Sequence, residues 1–184
     1  MPTRQSRPKL QPCGRQLAGD PVNPLHEEIS DLLSEKKEDR FASHVEARKK
    51  AMDFLARREY GQTELIRKLV DKGFEREVAE DAVTTLTSEG LQSDQRFTES
   101  FVQSRINQGK GPVRIRLDLG QRGIADSTVD AALEEIDPDW RTLAREQRHK
   151  KFGSDVPPDF KEKARQMRFL QYRGFEQDHI QASF

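Results

Sequence analysis

The chain has 184 residues, 33% of them hydrophobic and 35% charged; that mixture is too polar for one large apolar core and suits several small cores wrapped in charged helices. The 32 basic residues are balanced by 32 acidic ones, so net charge alone predicts neither nucleic-acid nor membrane binding. No stretch approaches the ~20 apolar residues of a membrane span, no secretory signal opens the chain, and the single Cys13 excludes an intrachain disulfide or a cysteine-based zinc site; the expected location is the cytoplasm.

Residues 1–24 are proline-rich and poor in apolar side chains, which predicts a disordered tail because little surface can be buried to offset chain entropy. Leu25, Ile29, Leu32 and Leu33 then recur at helical spacing, allowing a short amphipathic helix before residue 40.

Beyond this the sequence repeats itself. Lys72-Gly73-Phe74, Arg122-Gly123-Ile124 and Arg173-Gly174-Phe175 are spaced 50 and 51 residues apart. A cation, then glycine, then a large apolar residue is a helix stop. The cation meets the negative helix end, glycine takes the left-handed conformation, and the apolar residue folds back onto the last turn. Gly61 and Gly111 share the same register as predicted N-caps, the first followed by Glu64 at the capping-box position and the second by Pro112 at N1. Leu65 and Leu69 match Ile115 and Leu119. Ala79, Ala82, Val83 and Leu86 match Val129, Ala132, Leu133 and Ile136, and Ile180 and Phe184 fall at the places of Val129 and Leu133 with the last helix cut short. Glu89-Gly90-Leu91 and Asp137-Pro138 mark joints, Ser93-Asp94 a helix start, and residues 153–158 a loop. The expected fold is all-α: three tandem three-helix modules over 41–90, 91–137 and 138–184, after a tail over 1–40.

Catalytic chemistry finds no foothold. His26, His44, His149 and His179 are scattered without metal-ligand spacing, and Pro112 removes an amide that a phosphate cradle at Gly109-Lys110-Gly111 would use. The expectation is a protein that is not an enzyme and that uses no cofactor or metal. Charge segregation says more. Residues 104–122 carry net +4, residues 124–139 carry −6, and residues 141–173 carry +6. Acidic third helices thus alternate with basic first and second helices, which either neutralise one another or present a basic stripe to a polyanion or an acidic partner. Arg114 and Arg116 sit near the positive end of their helix, an unfavourable place for a cation, where copy one has Glu64 and Ile66. Phe74, Ile124 and Phe175 read as core staples, Trp140 as a contact between copies two and three, and no aromatic set reads as a stacking platform for single strands.

The order of these motifs resembles the RecX family of bacterial regulatory proteins over about residues 45–184. The resemblance rests on Ala51 to Leu55 with Arg57-Arg58, Glu64-Leu65 through Lys68-Leu69, and Lys72-Gly73-Phe74. It continues through Gly90-Leu91 with Asp94, Arg96 and Phe97, Lys110-Gly111-Pro112 with Arg114-Ile115, Leu119 with Arg122-Gly123-Ile124, Lys150-Lys151-Phe152 and Arg173-Gly174-Phe175. It implies an elongated, curved, solenoid-like molecule that acts as a monomer. It also implies binding in the groove of the RecA filament on single-stranded DNA, with inhibition of filament extension, ATP hydrolysis, strand exchange and coprotease activity. The chain departs from the family in its first 40 residues and in Gly61, where Ser or Thr is common. The residues expected to contact the filament, with weak direct DNA contact among them, are Arg57 and Arg58, then Arg105, Lys110, Arg114, Arg116 and Arg122, then Lys161, Arg165, Arg168 and Arg173. The alternative is a direct DNA-binding protein of helix-turn-helix type, although no dimer seam or privileged recognition helix stands out.

Overall fold

The computed structural model describes residues 42–184. The tail predicted over 1–24 and the helix predicted over 25–40 lie outside the described residues. Among those described there are nine helices and no strand: α1 (His44–Leu55), α2 (Gln62–Val70), α3 (Arg76–Ser88), α4 (Asp94–Asn107), α5 (Pro112–Gly120), α6 (Asp126–Ile136), α7 (Trp140–Phe152), α8 (Phe160–Arg173) and α9 (Gln177–Gln181). They group by threes into tandem all-α modules.

The repeated stop is realised three times with one geometry. Gly73, Gly123 and Gly174 have φ of 100°, 77° and 86°, the left-handed region open to a residue without Cβ. The amide after each glycine donates to a carbonyl five residues back: Phe74 to Leu69, Ile124 to Leu119 and Phe175 to Leu170, each at 3.2 Å. This is the Schellman bond that ties up an otherwise orphaned helix carbonyl. The three leucines are fully buried, and Phe74, Ile124 and Phe175 are buried with them.

Each module closes over its own core. Leu65, Leu69, Val83 and Leu86 lie in the first, Ile115, Leu119, Val129 and Leu133 in the second, and Ala144, Leu170, Phe175 and Ile180 in the third. Trp140 packs against both the second and the third, the bridging place expected of it.

The glycine stops also serve as joints between modules, a role invisible in the repeat alone. The amides of Gly111 and Val113 donate to the carbonyls of Arg173 (2.8 Å) and Gly174 (3.0 Å). A Cβ on Gly111 would lie 2.3 Å from the Gly174 oxygen, so only glycine permits this approach of two backbones. One module earlier, a Cβ on Gly123 would lie 2.7 Å from Thr63 Oγ1.

Two local expectations change. Glu64 makes no capping box, since no side chain of its own helix caps Gly61. The Gln62 amide instead donates to Asp94 Oδ1 from the next module at 2.8 Å. Asp94 also accepts from the buried Gln92 amide (2.8 Å), whose second bond goes to the Tyr60 carbonyl (3.0 Å). Ser93 alone caps α4, accepting from the Arg96 amide. Arg148, counted above with the basic surface, is 4% exposed. Its guanidinium donates to Gln166 Oε1 and to the Asp155 carbonyl inside module three.

Candidate interaction surface

Helix α5 exists because Pro112 opens it at N1 and Ile115 and Leu119 bury one side. The opposite side presents Val113 and Leu117 one turn apart, each about half exposed, with Arg114 and Arg116 among them. This mixed apolar and basic face was only half legible in sequence, because the cations were singled out there and Val113 and Leu117 were not.

The expected contact residues fall into distinct situations. Asp118 is 7% exposed, and its carboxylate is met by Arg114 Nε at 2.9 Å and Arg105 Nε at 3.5 Å. A buried carboxylate needs such partners, so both cations have a structural task that copy one, lacking an acid there, conceals. Arg116 reaches Asp130 on α6, a neutralising contact from a basic second helix to an acidic third helix. Arg48 with Glu89 and Arg141 with Asp178 follow the same logic in the outer modules.

Arg58 and Arg122 share Glu64 across the joint between modules one and two, at 2.7 Å and 4.0 Å. Arg58 also stacks 3.7 Å above Tyr60, and Arg122 donates to the Asp118 carbonyl. Arg173, at the Arg122 position of the next repeat, donates to the carbonyls of Gln108 (2.9 Å) and Gly109 (3.0 Å) at the end of α4. Cations at a helix C-terminus are favoured there. Arg57, Lys110 and Lys161 make no side-chain hydrogen bond or ion pair with a described residue. Arg165 pairs with Glu162 at 3.2 Å, and among the described residues the Arg168 guanidinium bonds only the Ala164 carbonyl of its own helix.

Two features escaped the sequence reading. Helices α7 and α8 bring Phe152, Phe169 and Tyr172 together with Lys151, Arg165 and Arg168 around an open cleft, so module three does assemble an aromatic cluster where none was expected. Near the chain end, ligand-type atoms of Glu176, Asp178 and His179 lie within 4.8 Å of one another. His179 Nδ1 accepts the Glu176 amide and completes a capping box at α9, a structural role that accounts for the grouping.

No helix among the described residues is long and apolar enough to cross a membrane. Models of the first, second and third three-helix domains of RecX match residues 47–86, 93–133 and 139–183. The chain is similar to a protein of Pseudomonas fluorescens named regulatory protein RecX, with 48% identity over 136 residues covering 74% of this chain and 88% of that protein. A protein of the same name from Pseudomonas tolaasii matches at 48% with the same coverage. A crystal structure titled regulatory protein RecX has the same fold, with a TM-score of 0.67 at 22% identity, covering 91% of this chain and 80% of that one.

Proposed function

The chain belongs to the RecX family of regulatory proteins, and from that membership we propose that it is a negative regulator of the RecA recombinase without catalytic activity of its own. It acts in the cytoplasm as a monomer lodged in the groove of the RecA filament on single-stranded DNA. There it inhibits filament extension, ATP hydrolysis, strand exchange and coprotease activity, and so restrains DNA repair and the SOS response.

The observation that carries this reading is the outward face of α5, where half-exposed Val113 and Leu117 lie beside Arg116, with Lys110, whose side chain has no hydrogen-bond or ion-pair partner among the described residues, just before the helix. An apolar pair rimmed by cations suits an acidic protein edge or a DNA-lined groove better than bulk water. Tandem modules that contact only their neighbours can follow a groove over a long path, and many modest contacts along it give avidity.

The test combines capture by RecA–DNA filaments, with naked DNA as control, and inhibition of RecA ATP hydrolysis. The Arg116–Asp130 pair is half exposed on both sides, so removing it changes stability by no more than about 1 kcal/mol. A Lys110→Ala, Arg116→Ala double variant is therefore expected to melt like the wild type. Its half-inhibiting concentration is expected to rise at least about tenfold, equivalent to 1.4 kcal/mol of binding. Inhibition at wild-type concentrations would remove α5 from the interface, and capture by naked DNA as strong as by filaments would favour a direct DNA binder.

A further inference from the structure

We propose that the cleft between α7 and α8 is a site for an unpaired nucleotide of single-stranded nucleic acid, with the base stacked on Tyr172 and the phosphate held by Lys151 and Arg168. The cleft measures about 570 Å³ and is lined by Lys151, Phe152, Arg165, Arg168, Phe169 and Tyr172. Three cations and three aromatic rings line it with no carboxylate among them. That pairing of flat apolar surface with positive charge is what a nucleotide offers in complement, a π-face next to a phosphate.

The parts of the cleft divide the work. Phe152 and Phe169 meet edge to face at 5.4 Å and form its floor, with Lys151 Nζ 4.1 Å from the Phe169 centroid and the Arg165 guanidinium 5.2 Å from that of Phe152. Arg165 is held at the rim by Glu162. Among the described residues Arg168 engages an acceptor only through Nε, on the Ala164 carbonyl at 3.4 Å, which leaves its terminal N–H groups for a ligand. Tyr172 is 84% exposed and makes no ring or cation contact with a described residue. Arg165, Arg168, Phe169 and Tyr172 stand at i, i+3, i+4 and i+7 and so share one face of α8.

The module scaffold uses Phe169, which packs against the third core and lies 4.9 Å from the Arg173 guanidinium, but it does not require the Tyr172 ring. In the 50- to 51-residue register, Tyr172 corresponds to Gln121 and Asp71, and Phe169 to Asp118 and Lys68. A large ring left in water where sister modules place polar side chains is a placement that folding does not explain. An acidic peptide would use the cations and leave the rings idle. A duplex would offer phosphates but keep its base faces covered, which selects the single strand.

The inference stands apart from the RecA reading, since its test contains no recombinase. Fluorescence anisotropy of the full chain with a labelled single-stranded thymidine 20-mer, and with a duplex of equal length, is the measurement. The wild type is expected to bind the single strand more tightly than the duplex. Tyr172→Ala is expected to weaken that binding roughly five- to 150-fold, the effect of losing one base stack, while Tyr172→Phe keeps it, because stacking needs the ring and not the hydroxyl. A Lys151→Ala, Arg168→Ala variant is expected to lower the slope of log affinity against log salt by about 0.7, the contribution of the one phosphate left without its cations. Unchanged affinity in Tyr172→Ala, absence of single-strand binding by the wild type, or displacement of the strand by polyglutamate on equal terms would each overturn the assignment.

Discussion

At the scale of single residues, glycines that are equivalent in the repeat differ in what surrounds them. Gly61 and Gly111 stand 50 positions apart as N-caps of α2 and α5, both with extended backbone that any residue adopts. A Cβ at Gly61 would meet the tip of Ile124 at 3.2 Å, a side chain able to give way. A Cβ at Gly111 would meet the Gly174 carbonyl at 2.3 Å, where only movement of one module against the other makes room. Gly61→Ala is therefore expected to shift the urea midpoint little. Gly111→Ala is expected to cost about 1–3 kcal/mol, as overpacking does. Gly123→Val combines both burdens, a β-branched residue at φ of 77° and a Cβ pressed on Thr63, and is expected to cost at least as much. Equal midpoints for Gly61→Ala and Gly111→Ala would mean that the backbone joint between modules two and three is not close in solution.

At the scale of elements, α4, α7 and α8 each start on a short side-chain cap, Ser93, Asp139 and Asp159, and the start of α7 makes this titratable. The Asp139 carboxylate accepts the Thr142 amide at 3.0 Å. Hydrogen bonding to Thr142, backbone first and then side chain, holds its pKa below the ordinary 3.8. A carboxyl whose folded pKa is depressed contributes stability fully above its unfolded value and loses it as pH falls through the folded one. Asn caps as well as Asp but does not titrate. Asp139→Asn is thus expected to differ from the wild type by a constant amount between about pH 5 and 7, and to gain on it as pH drops below 3.8. Parallel acid-unfolding curves followed by circular dichroism would show that the cap carries no such linkage.

At the scale of the described molecule, three small cores replace one large one, joined by Trp140, by the Asp94–Gln92 network and by the Gly111–Gly174 backbone contact. Stability in such arrays is close to a sum of module and neighbour terms, so damage stays near its origin. Leu170→Ala, at a fully buried core position, is expected to cost about 2–5 kcal/mol. It is also expected to speed amide exchange throughout α7–α9 while α1–α3 stay protected. Equal acceleration in all three modules would show that the chain unfolds as one cooperative unit.

The sequence alone determined the all-α class, the number of modules and the location of their stops, because a Schellman motif, an N-cap and an apolar stripe are local codes carried by neighbouring residues. Gly73, Gly123 and Gly174 announce themselves in this way, and so do Leu65, Leu69, Ile115 and Leu119. Contact across modules is not coded locally. Nothing near Asp94 indicates that it caps α2, and nothing near Arg173 that it holds the end of α4. The cleft of module three was hidden for the same reason: Phe152 lies 17 and 20 positions before Phe169 and Tyr172, and only the packing of α7 against α8 makes them neighbours. Tertiary structure decided which cations are paired within the fold and which have no ion-pair partner among the described residues, since pairing depends on what lies within a few ångströms of a charge, and that distance is set by packing.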